Sequence, residues 1–205
     1  MRKRIGIFGG SFNPIHMAHL VLADRAAEVL RLERVIFVPA KLPPHKEPSE
    51  LAPAADRLEM VRLAVKGNRR FAVSDIELRR EGPSYSVDTV AAMRRRLGRE
   101  AEIYFLIGAD TVAELPTWHD SRRLAKLCKF VPLSRPGARF PSVASLGAAL
   151  GRREARGILS RVIEMPLLDI SSSDIRDRVA KGQSIRYLVP GAAANYLRRR
   201  RLYSS

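Results

Sequence analysis

The sequence predicts a doubly wound α/β fold: a parallel sheet of about six strands, helices on both faces, and a small helical segment near the carboxyl end. Three observations carry this expectation. Short apolar runs of strand length alternate with segments of helical periodicity along the chain, the pattern of a parallel sheet built by crossovers. The first run, RIGIF at residues 4–8, leads through GGSFNPIHMAH at 9–19 into the helix-like LVLADRAAEVL. Such strand-to-helix turns are where α/β proteins bind phosphate. Finally, 205 residues that are 46% hydrophobic and 28% charged suffice for one soluble domain, 1–205, with a real core.

The elements follow in order. RIGIF is strand one, and a helix is expected from about residue 16 to 30. RVIFVP at 34–39 is a second buried strand, and the Pro-rich KLPPHKEPSELAP at 41–53 is a loop. Leu58, Val61, Leu63 and Val65 between charged residues mark a helix from about 54 to 66. FAVSDIEL at 71–78 is strand three, REGPSYS is a turn, and 87–97 is a helix with an Arg-rich outer face. EIYFLIG at 102–108, KFVPLS at 129–134 and RVIEMP at 161–166 are strands four, five and six. VASLGAALGRREA reads as one helix after a loop-like RPGARFPS. SSSDIRDRVAKG at 171–182 is a helix with a Ser/Asp start and a Gly stop.

The formal net charge is +16, much of it in Arg runs such as Arg94–Arg96 and Arg198–Arg201. A polyanionic partner and a solvated Arg-rich surface both account for it. Neither run is interleaved with aromatics as a single-strand binding surface would be, so no nucleic acid is expected as partner. The single cysteine, Cys128, excludes a disulfide framework and a Cys-rich zinc site. Its setting, LAKLCKFVPL, indicates buried packing. The basic amino-terminal segment has too short an apolar run for a signal peptide, and no segment approaches transmembrane length. A cytoplasmic protein without membrane partners is expected.

The turn at 9–19 carries most of the chemistry. Gly9 and Gly10 are expected to let the backbone turn sharply and approach a ligand with no Cβ in the way. Ser11 adds a hydroxyl, and Asn13-Pro14 suits entry to a helix. His16 and His19 are three apart and share a face of the first helical turn, beside unpaired N–H groups at its positive end. A polyphosphate fits such a site. The stretch matches neither the P-loop nor the dinucleotide glycine pattern. As a zinc set, two histidines without nearby Cys, Asp or Glu are poor, so no protein metal site is expected. Two surface histidines at a helix start remain the plain alternative.

GGSFNPIHMAH resembles the G-x-F-D-P-x-H-x-G-H signature of the nucleotidyltransferase superfamily with a Rossmann-like core, and ISSSDIR at 170–176 is similar to its second motif, I-S-S-T-x-I-R. PPHK at 43–46, GPSYSVDT at 82–89 and GADTVAELPTWHD at 108–120 resemble the bacterial nicotinate-nucleotide adenylyltransferases within it. The resemblance runs from Arg4 to about Tyr203, with two departures: Asn13 stands for the motif's Asp and Ala18 for its Gly. It implies adenylyl transfer from ATP to nicotinate mononucleotide, with Mg²⁺ accompanying the ATP, and release of nicotinate adenine dinucleotide and pyrophosphate.

By the same resemblance His16, His19 and Arg176 serve catalysis. Gly9, Gly10, Ser11, Phe12, Asp110, Ser172, Ser173 and Lys46 would bind ATP, and His45 would assist Lys46. Asp110 would take the ribose hydroxyls, and LSRPG at 133–137 would seat the adenine. Lys41, Ser84, Tyr85, Thr89, Trp118 and His119 would bind the nicotinate nucleotide, with Trp118 stacked on its ring and Asp88 nearby. As the chain's only Trp, Trp118 is equally readable as a core anchor. A homo-oligomer is compatible with the sequence. Three rival readings remain: another acceptor (nicotinamide mononucleotide or phosphopantetheine), a basic nucleic-acid-binding protein, and a nucleotide sensor without turnover.

Overall fold

In the computed structural model, which describes residues 3–44, 47–134 and 137–204, six parallel strands form one sheet in the order β3-β2-β1-β4-β5-β6. They are β1 (Arg4–Gly10), β2 (Arg34–Pro39), β3 (Phe71–Val73), β4 (Glu102–Gly108), β5 (Lys129–Ser134) and β6 (Ile163–Glu164). The helices are α1 (Met17–Val29), α2 (Ala54–Val65), α3 (Ser86–Leu97), α4 (Ser121–Leu127), α5 (Val143–Leu150), α6 (Arg152–Leu159), α7 (Ser172–Ala180) and α8 (Gly191–Arg199). The chain builds outward from β1 to β3, then returns to place β4 on the other side of β1. That reversal opens a crevice at the carboxyl ends of β1 and β4, where doubly wound sheets bind ligands.

Strand residues alternate between two cores because successive side chains point to opposite faces. Tyr104 and Leu106 join Phe8, Phe37, Met60 and Leu197 on one face, under α1, α2, α7 and α8. Ile103, Phe105 and Ile107 join Ile7, Val90, Leu124 and Leu146 on the other, under α3 to α6. A sheet covered on both sides explains why its strands read as nearly continuous apolar runs.

Several predicted elements differ in extent. Strand three, expected over 71–78, stops at Val73, because the chain then turns: the Arg79 N–H reaches Asp75 O (3.2 Å) and the Arg80 N–H reaches Glu77 O (3.2 Å). Strand six, expected over 161–166, is a two-residue edge paired only with Leu133 and Ser134, and Pro166 beyond it has no N–H to extend the ladder. The single helix expected in VASLGAALGRREA is two, α5 and α6, because Gly151 takes a φ of 100° that only glycine adopts freely. The loop expected after strand four is a 3₁₀ helix, Ala109–Thr117. Cys128 is buried, as its apolar setting implied, and burial pushes its thiol up to about 12.

The last helix is tied to the body through Asp56, only 4% exposed. Its Oδ1 accepts from Tyr196 Oη (2.7 Å) and Arg200 Nε (3.1 Å). Replacing Tyr196 by Phe leaves this buried carboxylate with one donor fewer. We expect Tyr196→Phe to lower stability by about 1–2 kcal/mol, read as a shift of the urea midpoint at unchanged slope; a midpoint equal to that of the parent would show the bond to be idle.

Candidate active site

The first turn is built differently from its sequence expectation. Gly9 and Gly10 remain in β1, paired with Val38 and Pro39. The reversal is made at Phe12, whose φ is 46°, followed by a cis Asn13-Pro14 bond. A Cβ at Gly10 would stand 3.3 Å from the Phe12 ring, a tight contact that the buried ring would have to yield to. Pro14 precedes the helix instead of opening it, because His16 is the N-cap of α1, with extended backbone (φ −144°, ψ 172°).

His16 and His19 therefore face each other across the first turn of α1, ring centroids 3.7 Å apart. His19 Nδ1 accepts from the His16 backbone N–H (3.2 Å), which assigns the proton of a neutral imidazole to Nε2. Packing against Phe12 (5.1 Å) and Phe8 (6.0 Å) desolvates the ring. This burial, and secondly the neighbouring His16, hold the His19 pKa well below the usual histidine value. At neutral pH, His19 is thus a neutral donor through Nε2–H.

The second motif meets this turn directly. Arg176 Nη1 donates to Asn13 O (2.9 Å), and Ser172 Oγ donates to Pro14 O (2.9 Å). Ser171 caps α7, accepting from the Asp174 N–H (3.1 Å). Between the starts of α1 and α7 lies a cavity of about 280 Å³, lined by His16, Ala18, His19, Asp110, Ser171 and Ser172 among others. Arg176 and Ser173 do not line it. Arg176 holds the turn from behind, and Ser173 is exposed, bonded to Ser171 Oγ (3.1 Å). Phe12 is buried against His19 and does not line the cavity. Leu133 lines it, while residues 135 and 136 of LSRPG lie outside the described residues.

A second cavity, about 480 Å³, opens on the other side of β1 and β4. Its walls include Gly9, Gly10, Ser11, Ser84, Tyr85, Thr89, Trp118 and His119. Gly108 lines both cavities, so the two meet at the end of β4. Trp118 packs as a core anchor, its ring edge-on against Phe105 (6.2 Å) and Phe130 (6.4 Å), and it also lines the cavity. Tyr85 and His119 stack on each other at 4.2 Å. α3 begins here with Tyr85 as N-cap and no side chain capping it, and Ser86 lines the cavity. Its unpaired N–H groups suit an anion.

Thr89 is buried and donates to Glu77 Oε1 (2.5 Å). Ser84 Oγ accepts from the N–H groups of Lys41 (3.0 Å) and Leu42 (3.2 Å). Lys41 itself turns its Nζ to Arg80 O (3.0 Å) and does not line the cavity. Lys46 and His45 lie outside the described residues, and Asp88 sits on a separate surface groove with Arg95 and Arg123.

Sequence reasoning missed Glu77, Phe105 and Thr111 as lining residues and Arg57 and Tyr203 beneath the site. Glu77 sits within an expected strand, where a charged residue reads as solvent-facing. It is 6% exposed, and burial pushes its carboxyl upward despite bonds from Thr89 and Ser84. No local signal marks such a residue.

The cytidylyltransferase-like family model matches residues 7–178. A probable nicotinate-nucleotide adenylyltransferase of Exiguobacterium sibiricum is 45% identical over 98% of this chain and 100% of its own length. Another such probable enzyme, from Thermomicrobium roseum, is 44% identical over 98% and 92%. In fold, the chain is similar to Plasmodium falciparum nicotinic acid mononucleotide adenylyltransferase complexed with NaAD: TM-score 0.78 and 20% identity, covering 98% and 97% of the two chains. Matched over most of its length by the family model and over 98% of it by such relatives, the chain belongs to the nicotinate-nucleotide adenylyltransferase family of cytidylyltransferase-like proteins.

Proposed function

We propose that this chain transfers the adenylyl group of ATP to the phosphate of nicotinate mononucleotide, giving nicotinate adenine dinucleotide and pyrophosphate. The observation that carries the reading is the pair of cavities meeting at Gly108, one walled by aromatics and a helix start, the other by imidazoles and hydroxyls. The nicotinate ring lies against Trp118, and its carboxylate takes the N–H groups at the start of α3. ATP occupies the smaller cavity. Asp110 accepts from its ribose hydroxyls, while His16, His19 and Ser172 face its phosphates, with Ser173 reaching the same phosphates from the exposed start of α7.

The mononucleotide's phosphate oxygen is already a nucleophile, so no covalent enzyme intermediate is needed. It attacks the α-phosphorus in line, the bond to the bridging oxygen breaks, and pyrophosphate leaves with the electron pair. The protein's task is to align two polyanions and stabilise developing negative charge. His19 Nε2–H does this from a neutral ring, and Arg176 acts by holding the turn at Asn13 O. A Mg²⁺ ion accompanying ATP would supply further charge neutralisation. Among the described residues no cluster of His, Cys, Asp or Glu offers it three ligands, so the phosphates themselves would carry it.

With ATP and Mg²⁺ present, we expect pyrophosphate release with nicotinate mononucleotide to exceed that with nicotinamide mononucleotide or phosphopantetheine by at least about tenfold in kcat/KM, because only the acid matches unpaired N–H donors. Equal rates would reject the acceptor assignment. His19→Ala should lower kcat by about 10²–10⁴-fold in a variant that circular dichroism shows to be folded. Near-normal turnover would remove His19 from the mechanism.

The lowered His19 pKa also has a sign for stability. Below about pH 6.5 the unfolded chain takes up a proton on this histidine that the folded chain resists. Ligand-free stability should therefore fall as pH drops below that value, and His19→Gln should flatten the fall. Parallel pH profiles for parent and variant, from denaturant midpoints between pH 5 and 7, would show that the ring is not desolvated.

A further inference from the structure

Arg57, in the first turn of α2, is 1% exposed. Its guanidinium is spent on backbone carbonyls from three separate segments. Nε donates to Ala52 O (2.9 Å), Nη1 to Ser11 O (2.7 Å) and Ala40 O (2.7 Å), and Nη2 to Lys41 O (3.2 Å). Ser11 belongs to the turn after β1; Ala40 and Lys41 follow β2. These are adjacent parallel strands whose carboxyl ends border the larger cavity, where both Ser11 and Ala40 are exposed to a ligand.

Hydrogen bonding engages four of the five N–H donors but leaves the charge. Among the described residues no carboxylate oxygen lies within ion-pair distance of Arg57. The acidic groups facing it are Glu77 and the Tyr203 phenol. Burial shifts both toward their neutral forms. A buried cation without a counter-ion is costly, and a purely structural link between these carbonyls needs no fixed charge. An anion entering above the two turns would bring the charge a partner in addition to Glu77 and Tyr203.

We propose that Arg57 is a positioning residue for adenylyl transfer. It fixes the backbone after β1 and β2 that borders the larger cavity, and its buried charge, which forms no ion pair among the described residues, draws the substrates' phosphates toward the junction with the smaller one. The inference depends on the function proposed above for its substrates, but the geometry of the clamp is independent of it. The guanidinium matters in two separable ways. Its fork holds four carbonyls, which a single ammonium cannot reproduce. Its charge acts through the low-dielectric interior, and a lysine would retain that.

The test compares Arg57→Lys and Arg57→Met with the parent. Circular dichroism and thermal midpoints establish that each variant is folded. The kinetic readouts are kcat, both KM values and the dependence of the ATP KM on ionic strength; calorimetric ATP affinity requires no acceptor. In folded Arg57→Met both KM values should rise about tenfold or more, kcat should fall about tenfold, and the salt dependence should weaken. Arg57→Lys should keep the parent's salt dependence while kcat stays about tenfold down.

Folded Arg57→Met with kcat and both KM values within twofold of the parent would overturn the proposal. If that variant does not fold, Arg57→Lys with kcat within twofold of the parent overturns it instead. If the parent itself fails to use nicotinate mononucleotide, the functional reading fails, and ATP affinity then decides the residue's part: equal affinity in parent and Arg57→Lys, with equal salt dependence of kcat where any turnover is found, overturns it.

Discussion

Two hydrogen bonds hold the site in one piece: Arg176 to the carbonyl of Asn13 and Ser172 to the carbonyl of Pro14. They join residues 163 and 158 positions apart in the chain. Without them the first turn and the start of α7 would have no shared boundary, and no cavity could have imidazoles on one wall and serine hydroxyls on the other. Both acceptors are main-chain oxygens, so the link fixes the path of the backbone and not merely one side chain. The two imidazoles inherit their position from that path, since His16, three residues after Asn13, is the N-cap of α1.

Around this link the chain arranges a division of labour. Residues that face the cavities are mostly small or apolar, with Glu77 and Asp110 charged among them, whereas Arg57 and Arg176 stand behind the walls. Arg176 and Arg57 both spend their donors on carbonyls. Glu77 holds Thr89, and Ser84 holds the backbone of Lys41 and Leu42. A rigid backbone lining a cavity can act at once through its N–H groups and through the absence of side chains, as at Gly10. Preorganisation of this kind is what reactions between two anions need, because no reacting bond has to be made to the protein.

Much of this was legible in the sequence. The six strands follow from apolar runs, and the alternation of strand and helix forecasts a parallel sheet, because no other arrangement buries runs that are apolar on both faces. The two motifs at 9–19 and 170–176 do lie against one another. Other features were hidden for physical reasons. The sharp reversal falls at Phe12, a residue with no turn propensity, because burial against Phe8 and His19 holds its ring in place. Lys41 resembles a phosphate ligand by type but is claimed by the Arg80 carbonyl. Arg57 reads as one more charge on a helix already rich in them; only the tertiary fold reveals that it points inward.

Asn13 shows how sequence order can protect chemistry. Its side-chain amide donates to Glu50 O (2.8 Å) and accepts from Tyr203 Oη (2.7 Å) and the Ala52 N–H (3.0 Å). The donated bond needs nitrogen: a carboxylate here would set oxygen against the Glu50 carbonyl. Asparagine ages by losing that nitrogen, when the amide N of the following residue closes a succinimide ring onto its side chain. The following residue here is Pro14, whose ring nitrogen carries no hydrogen and cannot form that imide. Spontaneous hydrolysis by the ordinary route is thus closed at the position where it would pit two oxygens against each other in the interior.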